Sequence, residues 1–464
     1  MKRTRIIGTI GPACSSLATI SKLIAAGLNV TRLNFSHGAY DEHAKFISTI
    51  RTAAKRAHRT ITILQDLSGP KVRVGELPPQ GLTLTEGKLV LFSNNPKQKQ
   101  AIPFQYLDLP RDVKKGDRIL LDDGLMEVEV VSTTKTEICA RVVCGGILLT
   151  HKGINVPSAS LKIPAITDKD KKDLKFGLAH HVDWVALSFV RDPRDIEQLR
   201  ALIEKERGHK PKIIAKIEKH EAVKHLEEII HAADGIMVAR GDLGIEIPAE
   251  EVPLVQKRII HLCRQLEKPV IVATQMLDSM IRNPRPTRAE VSDVANAAFD
   301  YTDAVMLSGE TASGKFPVQA VTMMSKIVQT VEHDEEHGTP YFYPHDTQFE
   351  NQLIGEISVA AAELHSAAAV IIPYHARHLV PLLSRFRPGC MIIPHVKNET
   401  EAAELNLHYG VYPLVMRTIF AAAKPAKLIA AARELKFLKA GDKVVVISES
   451  PKDERLLSVE EFVV

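Results

Sequence analysis

The sequence predicts an α/β protein: a closed (β/α)8 TIM barrel, a small β-barrel domain inserted into it, and an open α/β domain after it. Three observations predict this. Between Arg5 and Ser308, short apolar strands alternate with helical stretches, and the tally reaches eight strands, the count that closes a parallel barrel. From Lys71 to about Pro164 the helical period vanishes and short runs of period two replace it. Beyond His333–Gln348, a polar, proline-bearing stretch that reads as a linker, the alternation starts again. The boundaries that follow are residues 1–70 and 165–335 for the barrel, 71–164 for the inserted domain and 349–464 for the C-terminal domain.

Taken in order, Arg5–Ile10 is an apolar strand ending in Gly11-Pro12, and Ser15–Ala26 has helical spacing that stops at Gly27. In the next strand, Val30–Ser36, Arg32, Asn34 and Ser36 share one face, while Thr31, Leu33 and Phe35 share the other. Glu42–His58 is helical and Ile61–Asp66 is the third strand. The inserted domain carries strand runs at Lys71–Val74, Leu82–Leu84, Leu89–Ser93, Arg118–Leu121, Met126–Val131 and Ile138–Val143. Turns such as Asp122-Asp-Gly124 and Gly145-Gly146 part them. Helix Asp170–Leu178, strand Trp184–Phe189 and helix Asp195–Glu206 restore the alternation. Strands Lys212–Glu218 and Gly235–Ala239 flank one helix over His220–Ala233. Helix Val252–Leu266, strand Pro269–Thr274, a helix carrying Glu290–Ala298 and strand Asp303–Ser308 complete the barrel. The C-terminal part reads as helices Ile354–His365, Leu379–Phe386, Glu399–Leu407 and Thr418–Leu435 between strands Ala368–Ile372, Met391–Pro394, Val411–Val415 and Asp442–Ile447.

Composition narrows the function classes. The chain has 464 residues, 45% apolar and 25% charged, with a net charge of +4, which suits a globular enzyme of several domains. No basic run with interleaved aromatics points to nucleic acid. The mild basic excess fits phosphorylated small molecules better. Five scattered cysteines without a C-x-x-C pair fit a reducing compartment, so a cytoplasmic protein is expected. Gly8, Gly11 and Pro12 interrupt the first apolar run, so no signal peptide is expected, and no apolar stretch is long enough for a membrane span.

The chemistry concentrates in Lys212–Asp242. Ile213, Ala215 and Ile217 fall on one face of a strand, and Lys216 and Glu218 fall together on the other. A cation and an anion on an apolar strand are costly to bury without a partner or a task. The next strand runs into Arg240-Gly-Asp242. Any one of these residues alone reads as a helix cap or a structural ion pair. Together, two adjacent strands bring carboxylates and an ammonium to the carboxyl end of the barrel. Two carboxylates are what a partly hydrated Mg²⁺ (or Mn²⁺) uses, and an ammonium beside them can stabilise a phosphoryl group or an enolate.

With these strand ends in view, the chain resembles the pyruvate kinase family along nearly its whole length. The resemblance is tightest at Arg32-Leu-Asn-Phe-Ser-His-Gly38, Asp183–Phe189, Ala215-Lys-Ile-Glu218, Met237–Gly244, Ala273-Thr-Gln-Met276, Thr287-Arg-Ala-Glu290 and Met306-Leu-Ser-Gly-Glu-Thr311. It implies transfer of a phosphoryl group from phosphoenolpyruvate to ADP, giving pyruvate and ATP, the final step of glycolysis. It implies that Glu218 and Asp242 hold Mg²⁺, that Lys216 stabilises the transferring group and the enolate, and that Arg32 lies near that group. Gly241 and Thr274 would hold the substrate, Thr274 also lying on the proton path to the enolate carbon. Arg73, Lys152, Asn34 and His37 would face the nucleotide, and the inserted domain would close over the site as a lid. Many relatives hold K⁺ at positions matching Asn34, Ser36, Asp66 and Leu67. Here Lys71 stands where those relatives carry Glu, so K⁺ is expected to be dispensable, with the Lys71 ammonium, reaching toward Asp66, as the substitute cation. The family is usually a homotetramer. The stretch Tyr374-His-Ala-Arg-His-Leu379 lacks the hydroxyls and glycine of the phosphate loop of relatives activated by fructose 1,6-bisphosphate, so a poor response to that effector is expected. A glycine-rich closing loop is likewise replaced by Ser448–Asp453.

Other signals are set aside. Gly309–Lys315 fits most of a phosphate loop, but Phe316 stands where the metal-binding hydroxyl belongs. Two rival readings remain: another Mg²⁺-dependent barrel enzyme acting on an enolpyruvate, which would need neither Arg73 nor Lys152, and a non-catalytic sensor on the same fold.

Overall fold

The computed structural model describes residues 2–98, 100–334, 349–416, 425–450 and 453–464. The expected loop over Ser448–Asp453 and the first part of the expected helix Thr418–Leu435 lie partly outside these residues, as does most of the linker.

The barrel begins with β1 (Arg5–Thr9), β2 (Val30–Asn34) and β3 (Thr62–Asp66). The inserted segment carries β4 (Leu82–Leu84), β5 (Leu89–Ser93), β6 (Arg118–Leu121), β7 (Met126–Thr133), β8 (Glu137–Cys144), β9 (Gly146–Leu148) and β10 (Ile154–Asn155). The barrel resumes with β11 (Trp184–Leu187), β12 (Lys212–Ile217), β13 (Gly235–Ala239), β14 (Val270–Ala273) and β15 (Ala304–Leu307). These eight barrel strands are parallel and closed, in the order β1-β15-β14-β13-β12-β11-β3-β2.

The strand period sorts the side chains into two cores. Ile7, Val30, Leu64, Ile214, Met237 and Ile271 fill the barrel interior. Ile6, Leu33, Ile63, Ile213, Ala215 and Val238 pack outward against the helices. The helices start where short polar side chains can cap orphan amides. Ser16 accepts from Thr19 ahead of Leu17–Ala26, and Thr167 and Thr287 form capping boxes with Asp170 and Glu290.

Several elements differ from the sequence reading. His220–Ala233 is two helices, His220–Lys224 and Leu226–Ala232, parted at His225. Arg240–Glu246 is a short helix, which its two glycines concealed, and Asp242 sits in its first turn. Pro317–Glu332 is a helix that the sequence reading left unassigned.

The inserted segment has its own core of Val74, Phe92, Ile119, Val128, Ile138 and their neighbours. Its strands form a five-stranded sheet, β10-β6-β7-β8-β5, and a β4-β9 pair. Lys71–Val74 is not a strand. Arg73 and Val74 make isolated bridges to Gly153 and Phe104. Gly146, read as part of a turn, begins β9.

The C-terminal sheet contains β16 (Ala369–Ile372), β17 (Met391–Val396), β18 (Leu414–Val415), β19 (Lys443–Ser450) and β20 (Asp453–Val463). Its order is β18-β17-β16-β19-β20, parallel except for the β19–β20 hairpin. Strand β20 was not expected, because acidic residues interrupt its apolar alternation at Glu460-Glu461. Among the described residues no helix is long and apolar enough to cross a membrane.

Candidate active site

Strand register places the charged residues at one end of the barrel. Asp66 lies level with Ala186, and Ala186 with Ile214, so Lys216 projects inward one layer above Asp66. The Lys216 ammonium is 2.8 Å from Glu218 Oε1, 3.3 Å from Asp66 Oδ1 and 2.7 Å from Ser188 Oγ. Arg32 Nε donates to Asp66 Oδ2 at 2.7 Å, and its guanidinium also reaches Thr9 Oγ1 at 3.1 Å. Two cations therefore converge on one buried carboxylate. Burial opposes the ionisation of Asp66, but Lys216 and Arg32 outweigh it and hold the carboxyl below its usual range.

Glu218 is buried just beyond β12. Its Oε2 accepts the Phe189 amide at 2.7 Å. Phe189 has φ 57°, a left-handed conformation unusual for a bulky residue, and this turns its N–H toward the carboxylate. Lys216 and Glu218 shift in the same direction. Burial disfavours the Lys216 charge, yet Asp66 and Glu218 raise its pKa, while burial raises that of Glu218 against the pull of Lys216 and with the added push of Asp242.

Thr274 and Gln275, just past β14, are also left-handed, with φ 70° and 54°. Thr274 Oγ1 accepts the Gly241 amide at 2.8 Å and donates to the Ala273 carbonyl at 2.6 Å. That bond locks the first turn of Arg240–Glu246, and with it Asp242, to the end of β14. Arg240 braces the same corner. Its guanidinium bonds both oxygens of Asp293 at 2.6 Å and the Thr274 carbonyl at 2.9 Å.

The structure brings Arg32, Asp66, Lys216, Glu218 and, through the shared corner, Gly241, Asp242 and Thr274 to the same end of the barrel. Asn34 and Ser36 lie beside them: Asn34 Oδ1 accepts the Ser36 amide at 3.1 Å, and Ser36 Oγ is 3.3 Å from Ser68 Oγ. The Leu67 carbonyl accepts from Ser188 at 2.8 Å. His37 is exposed, its carbonyl 2.9 Å from His43 Nε2. Arg73 and Lys152 are neighbours through the Arg73–Gly153 bridge. Their charged ends stay on the inserted segment, Arg73 on the His151 carbonyl at 3.0 Å and Lys152 on Asp122 at 2.9 Å.

Lys71 departs from its expected place. Its ammonium does not reach Asp66, whose oxygens Arg32, Lys216 and Ser188 already occupy. It lies 3.5 Å from Asp242 Oδ1 and 3.3 Å from Asp123 Oδ1. Ser188, Arg240 and Asp293 are the residues that sequence reasoning missed. Ser188 and Arg240 lie inside the motifs already singled out, but Asp293 carries no local signal, because its role depends on a partner 53 residues away.

The donor set suits a hard divalent cation. Glu218 Oε1 is buried, with the Lys216 ammonium 2.8 Å away as its charged neighbour. Asp242 adds a second carboxylate close enough to raise the Glu218 pKa, a repulsion that a shared cation relieves.

A barrel with this metal-suited carboxylate pair, fixed cations and an inserted domain belongs to the class of enzymes that move phosphoryl groups or stabilise enolates. Family models described as "Pyruvate kinase, barrel domain" and "Pyruvate kinase, alpha/beta domain" match residues 1–321 and 352–456. A pyruvate kinase of Geobacillus stearothermophilus is 46% identical over 420 residues, covering 89% of this chain and 71% of that protein. Pyruvate kinase 2 of Synechocystis sp. is 44% identical over 457 residues, covering 96% and 76%. The chain belongs to the pyruvate kinase family.

Proposed function

We propose that this site transfers the phosphoryl group of phosphoenolpyruvate to ADP, with Lys216, Glu218, Asp242, Arg32 and Thr274 as its working residues. The observation that carries the reading is the Lys216 ammonium, buried at the barrel mouth between Asp66 and Glu218. Phosphoryl transfer needs positioning and charge neutralisation more than covalent catalysis. Lys216 and Arg32 supply fixed positive charge for the transferring group, and Lys216 stabilises the enolate that it leaves behind. Glu218 and Asp242 would hold Mg²⁺ or Mn²⁺, which supplies Lewis-acid neutralisation of the substrate oxygens. The Gly241 amide and the Thr274 hydroxyl, bonded to each other in this structure, are assigned to the substrate acid groups, with Thr274 on the proton path to the enolate carbon. Arg73, Lys152, Asn34 and His37 are assigned to the nucleotide. Residues 71–164 act as a lid that excludes water during transfer. The assignment to this family removes the lyase-like and sensor readings.

Lys216→Met tests the assignment. An assay of ADP-dependent pyruvate formation should lose roughly a hundredfold or more in turnover. Turnover within a few-fold of the parent, in folded protein, would remove Lys216 from the mechanism.

We also propose that K⁺ is dispensable. Asp66 already has two cationic partners, Arg32 and Lys216, and Lys71 brings a third cation to the same mouth at Asp242. A bound K⁺ would add like charge to a poorly solvated site. Activity should persist when tetramethylammonium replaces K⁺ at equal ionic strength, and near-complete loss would refute this.

A homotetramer in the cytoplasm is the setting proposed. The Tyr374–Leu379 turn should respond weakly to fructose 1,6-bisphosphate, since Arg377 is stacked 3.9 Å from the Tyr374 ring centre and bonded to the Tyr374 carbonyl.

A further inference from the structure

Lys71 stands where the chain leaves the barrel for the inserted segment. Its ammonium is shared between two carboxylates on different bodies. Asp123 belongs to the turn between β6 and β7 of the inserted segment, and Asp242 to the first turn of Arg240–Glu246 on the barrel. The arrangement is crowded and held from several sides. Asp123 adopts φ 55° in the turn, and its side chain is 63% exposed. The neighbouring Asp122 is held by Lys152 at 2.9 Å. A Cβ added at Gly153 would meet Lys71 Cε at 3.2 Å and Asp123 Oδ1 at 3.4 Å, so the lysine stem and the turn lie against the same backbone. Lys71 is only 24% exposed, and Asp242 27%.

We propose that Lys71 is a tethered competitor for the divalent cation at Asp242, and that its exchange between Asp242 and Asp123 couples metal binding to the position of the inserted domain. This rests on the assignment of Asp242 as a metal ligand. One Asp242 oxygen cannot serve an ammonium and a divalent cation at full strength, because both are cations and would lie within a few ångströms of each other. When the metal takes Asp242, the ammonium keeps its second partner, Asp123, on the lid. A carboxylate on the lid therefore tunes a metal site on the barrel. By linkage, a metal that displaces Lys71 from Asp242 changes the lid–barrel contact by the same free energy with which that contact opposes the metal.

The distinguishing property is non-additivity. If Lys71 acted only through space, Lys71 and Asp123 would shift metal affinity independently, each by its own charge. In the tethered exchange Asp123 acts only through Lys71, so its effect vanishes once the lysine is gone.

Mn²⁺ binding, read by the loss of the free-ion electron paramagnetic resonance signal, tests this in the intact protein without turnover. Lys71→Met should tighten Mn²⁺ binding by roughly fivefold or more, and Asp123→Asn, which leaves the ammonium on Asp242, should weaken it by a similar factor. Lys71→Arg should stay near the parent. In the Lys71→Met background, Asp123→Asn should have no further effect. Independent effects that multiply in the double variant, or unchanged affinity in Lys71→Met, would overturn the proposal. Asp242→Asn separates the two layers. If it binds Mn²⁺ like the parent, the metal-ligand assignment itself has failed and the exchange falls with it.

Discussion

Asp183 shows how one buried carboxyl can set a pH dependence. It is almost wholly buried, and its oxygen accepts the Ile63 amide at 2.7 Å. Burial pushes its pKa up to about 7, against the opposing pull of that amide and of Arg51. In the unfolded chain the group titrates near the ordinary value of 3.8. Below that value both states hold the proton and the contribution to stability is complete. As pH rises through the window, the unfolded chain releases its proton first while the folded protein keeps its own. Stability therefore falls from about pH 4 to about pH 7, by at most about 4 kcal/mol, and levels above it. Asp183→Asn keeps the acceptor and removes the ionisation. In urea unfolding, the variant should be more stable than the parent at pH 8, with the advantage shrinking toward pH 4. A constant difference across that range would refute the assignment. The same scale shows what a single sequence discloses. Lys216 and Glu218 were legible because a strand's two-residue period put both charges on one face of an apolar run. The place of Lys71 was not, because nothing local says which of several carboxylates a four-carbon stem will reach.

At the level of elements, the seam between the first and last barrel strands depends on a close approach of backbones. Gly11, just after β1, has room for no side chain: an added Cβ would lie 2.7 Å from the Ala312 carbonyl oxygen and 3.0 Å from Ala312 Cβ. That carbonyl also accepts the Ala13 amide at 3.0 Å, so it cannot withdraw freely. Gly11→Ala should cost about 1–3 kcal/mol through overpacking, seen as a lower urea midpoint. Gly244→Ala is the matched control. Its Cβ would meet only Val252 Cγ2 at an ordinary 3.6 Å, inside a helix where alanine is favoured, so stability should hold or rise by up to about 1 kcal/mol. Equal losses in both would remove the steric explanation. Glycine also explains where element reading stopped. The strands of the barrel were legible from apolar runs and alternation, whereas Arg240–Glu246 is seven residues with two glycines, too short and too weak in propensity to announce a helix. Its tertiary hold, through Thr274 and Asp293, makes it one.

Across the whole molecule the barrel divides its labour between its two ends. The carboxyl end gathers the candidate catalytic residues, and the amino end receives the C-terminal domain. Thr62 at the start of β3 donates to the Ala403 carbonyl at 2.8 Å, and Asn406 donates to the Asn29 carbonyl at 3.0 Å. Arg5, wholly buried, reaches the His408 carbonyl at 3.0 Å and lies over the Tyr412 ring. The strongest tie is Arg387 with Asp303, next to β15. The guanidinium meets both carboxylate oxygens, at 3.0 and 2.7 Å, and each side chain is only 2% exposed. Asp303 also accepts the Tyr409 amide at 2.9 Å, and Arg387 donates to the Tyr301 carbonyl at 3.0 Å. Such a pair contributes modestly compared with well-packed apolar groups, but breaking it is expensive because one buried charge is stranded. Arg387→Met should therefore cost about 3–5 kcal/mol. Adding Asp303→Asn removes the stranded charge and leaves an acceptor for the Tyr409 amide but not for the Val270 amide, which Oδ2 accepts at 3.1 Å, so the double variant should regain part of that loss. Urea unfolding of the parent, both single variants and the double variant measures the coupling. If the second substitution adds its full cost to the first, charge pairing is not what joins the C-terminal domain to the barrel, and packing around Tyr409 and Tyr412 carries the interface instead.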